Sequence, residues 1–221
     1  MHETVQRLHL IKDKAREILA QTQYKTDPNI IAVTKTFPLN KIIPLIESGH
    51  FHYGENKIQE AESKWTETKN KYNNLKLHML GRLQSNKAKK VVKLFDYLHS
   101  LDNAKLASKI SQYEKELNKK MKIFIQVNIG DEDQKSGILL KDLNTFYNYC
   151  NKKLSLNIIG LMCMPPINSD PDKYFKILKK NATELKLKHL SMGMSMDYEN
   201  ALINGATYLR LGTAIFGPRN N

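Results

Sequence analysis

The chain has 221 residues, 41% hydrophobic and 26% charged, a balance that suits one globular domain with a sizeable core. Its formal net charge is +13, yet only Arg7, Arg16, Arg82, Arg210 and Arg219 are arginines, and the lysines spread over most predicted helices. The charge therefore reads as solvated lysine faces and not as a nucleic-acid surface, which would show an arginine stripe with interleaved aromatics.

Along the chain, Val5, Leu8, Ile11, Ala15, Ile18 and Leu19 recur at helical spacing and predict an opening helix. It is charged and amphipathic, unlike a signal peptide. Short apolar runs then alternate with helical patterns. Runs at 29–34, 50–54, 77–80, 97–101, 122–129, 157–162, 189–192 and 208–211 predict strands. Helices are predicted near 39–48, 55–71, 85–93, 104–118, 141–152, 173–186 and 197–204. The alternation predicts an α/β fold with a parallel sheet. Its count is the one that closes a (β/α)8 TIM barrel, a fold that occupies ~200–250 residues as one unit. Few residues follow the last run, so the opening helix is expected to complete the outer ring. The expected domain is a single barrel over 1–221, with a doubly wound open sheet as the alternative. Nothing approaches ~18 consecutive apolar residues, so no membrane span is expected. Cys150 and Cys163 form neither a CxxC pair nor a disulfide framework, which points to a reducing cytoplasm.

In such barrels chemistry sits where the strands end. Lys35 follows the first run. Burial of an ammonium is costly, so a lysine there loses its proton or finds a partner, and a neutral amine condenses with aldehydes. The plainer reading is a lysine snorkelling to water. Asn56 follows the second run behind Gly54 and Glu55, a helix-capping turn or a ligand contact. After the third run His78 reads as a satisfied core histidine, and Gln84 and Asn86 as caps or mouth residues. Asp131, Glu132 and Asp133 read as an exposed loop, since no metal-binding pattern follows; Lys135 beside them is able to project over the mouth. Ser195 sits where a helix N-cap is expected after the seventh run. Gly212 and Thr213 follow the eighth. Phosphate commonly binds at these last two loops. An amine facing a phosphate cup across a narrow barrel suits a small phosphorylated aldehyde. Pyridoxal phosphate fits, and sugar phosphates fit less specifically.

Seven segments then carry a resemblance: Ala32-Val33-Thr34-Lys35-Thr36, Gly54-Glu55-Asn56, Leu83-Gln84-Ser85-Asn86-Lys87, Lys135-Ser136-Gly137, Gly160-Leu161-Met162, Leu190-Ser191-Met192-Gly193-Met194-Ser195 and Arg210-Leu211-Gly212-Thr213-Ala214-Ile215-Phe216-Gly217. In this order and over nearly the whole chain, the sequence resembles the pyridoxal phosphate homeostasis protein family, related in fold to the N-terminal domain of alanine racemases. The resemblance implies pyridoxal 5′-phosphate as cofactor, with Lys35 as its Schiff-base lysine. It places Met194, Ser195, Gly212 and Thr213 at the phosphate, Arg210 at the pyridine nitrogen and Asn56 near the ring. It implies a role in vitamin B6 homeostasis, with pyridoxal-phosphate-dependent apo-enzymes as candidate recipients. No metal, nucleic-acid or membrane partner is expected, and the expected state is a monomer. Guanidinium only donates hydrogen bonds, so Arg210 favours an unprotonated ring nitrogen and weakens the ring as an electron sink. Racemases add a tyrosine from a second domain, for which this sequence shows no counterpart. Holding the cofactor without turnover is therefore expected; a racemase or lyase is the alternative.

Overall fold

The apolar runs form β1 (Asn29–Val33), β2 (His52–Glu55), β3 (Lys76–Met79), β4 (Tyr97–Leu101), β5 (Lys122–Gln126), β6 (Ile158–Met162), β7 (His189–Ser191) and β8 (Tyr208–Leu211). Each pairs in parallel with the next, and β8 returns to β1 with Ile31 opposite Arg210, closing the barrel. The computed structural model describes residues 1–24 and 27–218. Arg219 and Asn221 lie outside the described residues.

Side chains alternate along each strand, so one set faces the axis and the other the helices. Ile31, Tyr97, Phe124, Met162 and Tyr208 form a small apolar cluster on the axis. The larger core lies between the strands and the helices, where the apolar stripes of the helices meet the outward strand positions.

The outer layer is α1 (Glu3–Ala20), α2 (Leu39–Glu47), α3 (Ile58–Lys71), α4 (Ala88–Leu94), α5 (Ala104–Glu116), α6 (Leu143–Asn148), α7 (Pro171–Glu184), α8 (Tyr198–Ile203) and α9 (Thr213–Phe216). As expected, α1 joins the ring, packing against α2, α8 and α9. It does so by burying Val5, Leu8, Ile11, Ala15 and Leu19, each large one contributing about 1.5–3 kcal/mol of apolar burial.

Three local expectations change. The run 122–129 leaves the ladder after Gln126, because the chain folds back and Ile138 N donates to Gln126 O at 2.8 Å. That return needs Gly137: its φ is +132°, and a Cβ there would lie 2.4 Å from Asn128 N. The helix expected over 141–152 is not uniform. A 3-10 turn (Leu140–Asp142) leads into α6, and a π turn (Tyr149–Lys153) ends it with Cys150 fully buried. Finally, the N-cap of α8 is Asp197 and not Ser195. Asp197 Oδ1 accepts from Met194 N at 2.6 Å, which leaves the Ser195 hydroxyl for another partner. Among the described residues no helix is long and apolar enough to cross a membrane.

Candidate functional site

Lys35 lies two residues beyond β1, half-buried in a turn closed by Phe37 N donating to Thr34 O at 3.1 Å. Its neighbour Thr36 has φ +68°. A β-branched residue there is strained and persists only when its surroundings impose the turn. They do so from α3. Glu60 Oε1 accepts from Thr36 N at 2.6 Å, and Lys64 Nζ donates to Thr34 O at 2.8 Å. Lys64 also pairs with the fully buried Glu55 at 2.9 Å and with Glu60 at 3.0 Å. Glu55 Oε1 accepts further from Thr34 Oγ1 at 2.7 Å and Trp65 Nε1 at 2.9 Å. The amine at the strand end is thus presented by a turn bolted to α3. Sequence reading assigned Glu55 to a helix turn; it ends β2 instead, with its carboxylate between barrel and α3.

On the other side of the barrel seam, the loops after β7 and β8 meet. Ser195 Oγ accepts from Ala214 N at 3.2 Å, which joins the two loops. A Cβ on Gly212 would lie 3.6 Å from Val33 O, so this loop stands against the end of β1 that leads to Lys35. Thr213 is exposed and Met194 is 40% exposed at the same rim. Asn56 is half-buried after β2, its backbone against Gly81, where an added Cβ would fall 2.2 Å from Asn56 O. Lys35, Asn56, Met194, Ser195, Gly212 and Thr213 therefore all lie at the C-terminal end of the barrel.

Arg210 lies on β8 just below that rim and is 6% exposed. Burial lowers the pKa of its guanidinium, opposed by Cys163 and Asp197. It donates to Ser191 Oγ at 2.8 Å and Cys163 O at 2.9 Å. No carboxylate pairs with it among the described residues, and a guanidinium carries five N–H groups. An acceptor in the mouth is therefore chemically matched to it. Burial, foremost, pushes the Cys163 thiol up to about 12, which disfavours its thiolate form.

The other sequence candidates fall into place differently. Lys135 is tied to Pro165 O at 3.1 Å and Glu132 at 2.6 Å. Among the described residues no three His, Cys, Asp or Glu side chains gather as a metal site. Gln84 lines a cleft of about 610 Å³ with Arg82, Ser85, Asn103 and Lys105, after β3 and β4. His78 is fully buried and hydrogen-bonded on both ring nitrogens. Its partners His52 and His99, and Ser191 beyond them, were missed. Their signal was positional: all stand on strands, at places whose side chains turn to the axis.

The alanine racemase N-terminal domain model matches residues 7–220. A pyridoxal phosphate homeostasis protein from Escherichia coli is 32% identical over 232 residues, covering 100% of this chain and 98% of that protein. One from Synechocystis is 39% identical over 199 residues, covering 86% and 91%. The structure of PipY from Synechococcus elongatus with PLP bound superposes with a TM-score of 0.81 at 34% identity, covering 92% of this chain and 100% of that one. An alanine racemase from Clostridium difficile, at 13% identity and TM-score 0.74, shares the fold over 57% of its own chain. With this much sequence shared over almost its full length, the chain belongs to the pyridoxal phosphate homeostasis protein family, on the alanine racemase N-terminal domain barrel.

Proposed function

We propose that this protein binds pyridoxal 5′-phosphate and serves its intracellular homeostasis, holding the cofactor as a Schiff base on Lys35 without catalytic turnover. The observation that carries the reading is Arg210, a desolvated guanidinium with donors to spare beneath a rim that presents an amine on one side and a hydroxyl on the other. This donor set fits the group. Lys35 supplies the amine for the aldehyde. Ser195, Gly212 and Thr213, with Met194 beside them, would hold the phosphate by hydroxyl and backbone N–H contacts. Arg210 would donate to the ring nitrogen, and Asn56 would stand near the ring. The names of the relatives and the PLP-bound PipY structure support the cofactor.

When bound, pyridoxal phosphate supplies an electrophilic aldehyde and an electron-accepting ring. The protein's residues restrain that chemistry. Arg210 only donates, so it favours a ring nitrogen without a proton and a weak electron sink. The clamp from α3 fixes the Lys35 turn, which suits storage. Recipients would be pyridoxal-phosphate-dependent apo-enzymes, and the protein would act as a monomer in the cytoplasm. The buried free thiols of Cys150 and Cys163 suit a reducing compartment.

The test is spectroscopic. Purified protein loaded with pyridoxal phosphate should be yellow, and borohydride should trap the label on Lys35. Lys35→Ala should lose colour and label while keeping its fold. A label on Lys135, or none, would sink the site. Single-enantiomer amino acids should undergo no sustained racemisation; clear turnover would move the protein to the enzyme class.

A further inference from the structure

Inside this barrel, polar rings stand where such barrels usually stack branched apolar side chains. His52 Nδ1 lies 2.9 Å from His78 Nε2. His78 Nδ1 lies 2.9 Å from His99 Nε2, and His99 Nδ1 lies 2.8 Å from Ser191 Oγ. Arg210 donates to that same oxygen at 2.8 Å. The column starts at His52, which lines a cavity of about 260 Å³ at the N-terminal end of the barrel. It ends at the guanidinium under the opposite rim.

The chemistry of the last member sets the direction of all the others. A guanidinium has no acceptor, so Ser191 Oγ must accept from it. The Ser191 hydrogen then goes to His99 Nδ1. His99 Nε2–H donates to His78 Nδ1, and His78 Nε2–H donates to His52 Nδ1. His52 is left with its own Nε2–H at the lower end of the column. The reverse direction would make Ser191 accept twice and leave its buried hydrogen without an acceptor among the described residues, which is costly.

This order needs neutral rings, and their surroundings keep them so. Burial lowers His78 and His99 well below the usual imidazole value. Arg210 and His52 add to this at His99; His99, His52, His50 and Lys122 add to it at His78. Burial, then Lys76 and Lys122, push His52 down to about 4 against an opposing Asp96. Tyr97 stacks on His78 at 4.1 Å and Phe124 on His99 at 4.3 Å, fixing the ring planes.

We propose that His52, His78, His99 and Ser191 form a one-directional hydrogen-bond column that holds Arg210 as a fixed donor to the ring nitrogen of pyridoxal phosphate. This rests on the cofactor site proposed above. The column orients and does not conduct, because the guanidinium at its end gives up no proton. These are positioning residues, acting on the cofactor only through Arg210.

Two measurements test it. Histidine-labelled 15N NMR of the cofactor-free protein should show Nε2–H tautomers at His52, His78 and His99, unchanged across the neutral range. An Nδ1–H tautomer at His78 or His99 would overturn the column. In the loaded protein, Ser191→Ala and His99→Phe should each weaken pyridoxal phosphate binding about tenfold. Each should also give an absorbance band that moves with pH near neutrality, where the parent band stays fixed. His99→Gln, whose amide accepts from Ser191 and donates to His78, should restore the fixed band. Parent-like bands in both disrupting variants would overturn the proposal. Should His99→Phe fail to fold, Ser191→Ala and the tautomers decide the matter. Borohydride labelling of Lys35 in the parent protein separates the outcomes: its loss refutes the cofactor site, while the tautomers still judge the column.

Discussion

At the residue scale, the Lys35 turn shows how a strained backbone is kept in place. Thr36 adopts φ +68° because Glu60 and Lys64 hold both sides of it. Glu55 anchors the arrangement, fully buried and shared among Thr34, Lys64 and Trp65. Removing one partner of a buried ion pair strands the other charge, at about 3 kcal/mol or more. Glu55→Ala is therefore expected to lower unfolding free energy by about 3 kcal/mol in denaturant titration, and to slow Lys35 trapping by borohydride. A loss near zero would show that Glu60 alone satisfies Lys64. Lys35 was legible in the sequence because it directly follows an apolar run. Glu55 was not, because the same position reads equally as a helix cap until α3 is seen lying over it.

At the scale of elements, strand existence and order were legible throughout, because each run is bounded and β-branched or apolar enough to stand alone. Their ends were less so. The run ending at Ile129 keeps the apolar character of a strand after its ladder has stopped, since Val127 and Ile129 remain buried in the return loop. Ser195 looked like a cap, and Asp197 took that place. Gly160 on β6 shows a constraint that only packing reveals. A Cβ there would stand 2.1 Å from His189 O on β7 and 2.8 Å from the Phe124 ring on β5. Backbone cannot yield as a side-chain tip does, so Gly160→Ala should force β6 and β7 apart. The expected cost is about 3 kcal/mol, seen as a lower denaturation midpoint with weaker tryptophan-reported cooperativity. An unchanged midpoint would mean that the β6–β7 pairing relaxes without loss.

At the scale of the whole molecule, the axis of the barrel makes stability depend on pH. The unfolded imidazole titrates near about 6.5. In the folded barrel burial and neighbouring lysines push His52 to about 4, and burial and Lys12 push His50 to about 3. The unfolded chain thus binds more protons over this interval, so stability rises with pH there. It is complete above about pH 6.5 and declines as pH falls toward about 4. His78 and His99 act in the same direction. Urea midpoints should fall steadily over that window, and His52→Gln should flatten the slope. A midpoint independent of pH would mean that the rings take up protons in the folded barrel as readily as in the unfolded chain.

The sequence by itself determined the barrel and the rim. Hydrophobic periodicity is local, and a barrel places every strand end on one side, so Lys35, Asn56, Ser195 and Gly212 were brought to one end by counting alone, while the family resemblance supplied the role of Arg210. Only the tertiary structure decided what stands behind them. The Glu55–Lys64 clamp joins β2 to α3, and the column from His52 to Arg210 joins β2, β3, β4, β7 and β8. Each histidine looks unremarkable within its own strand. Their hydrogen bonds exist because closure of the sheet turns the same parity of separate strands onto one axis, a relation between distant segments that no single window of sequence contains.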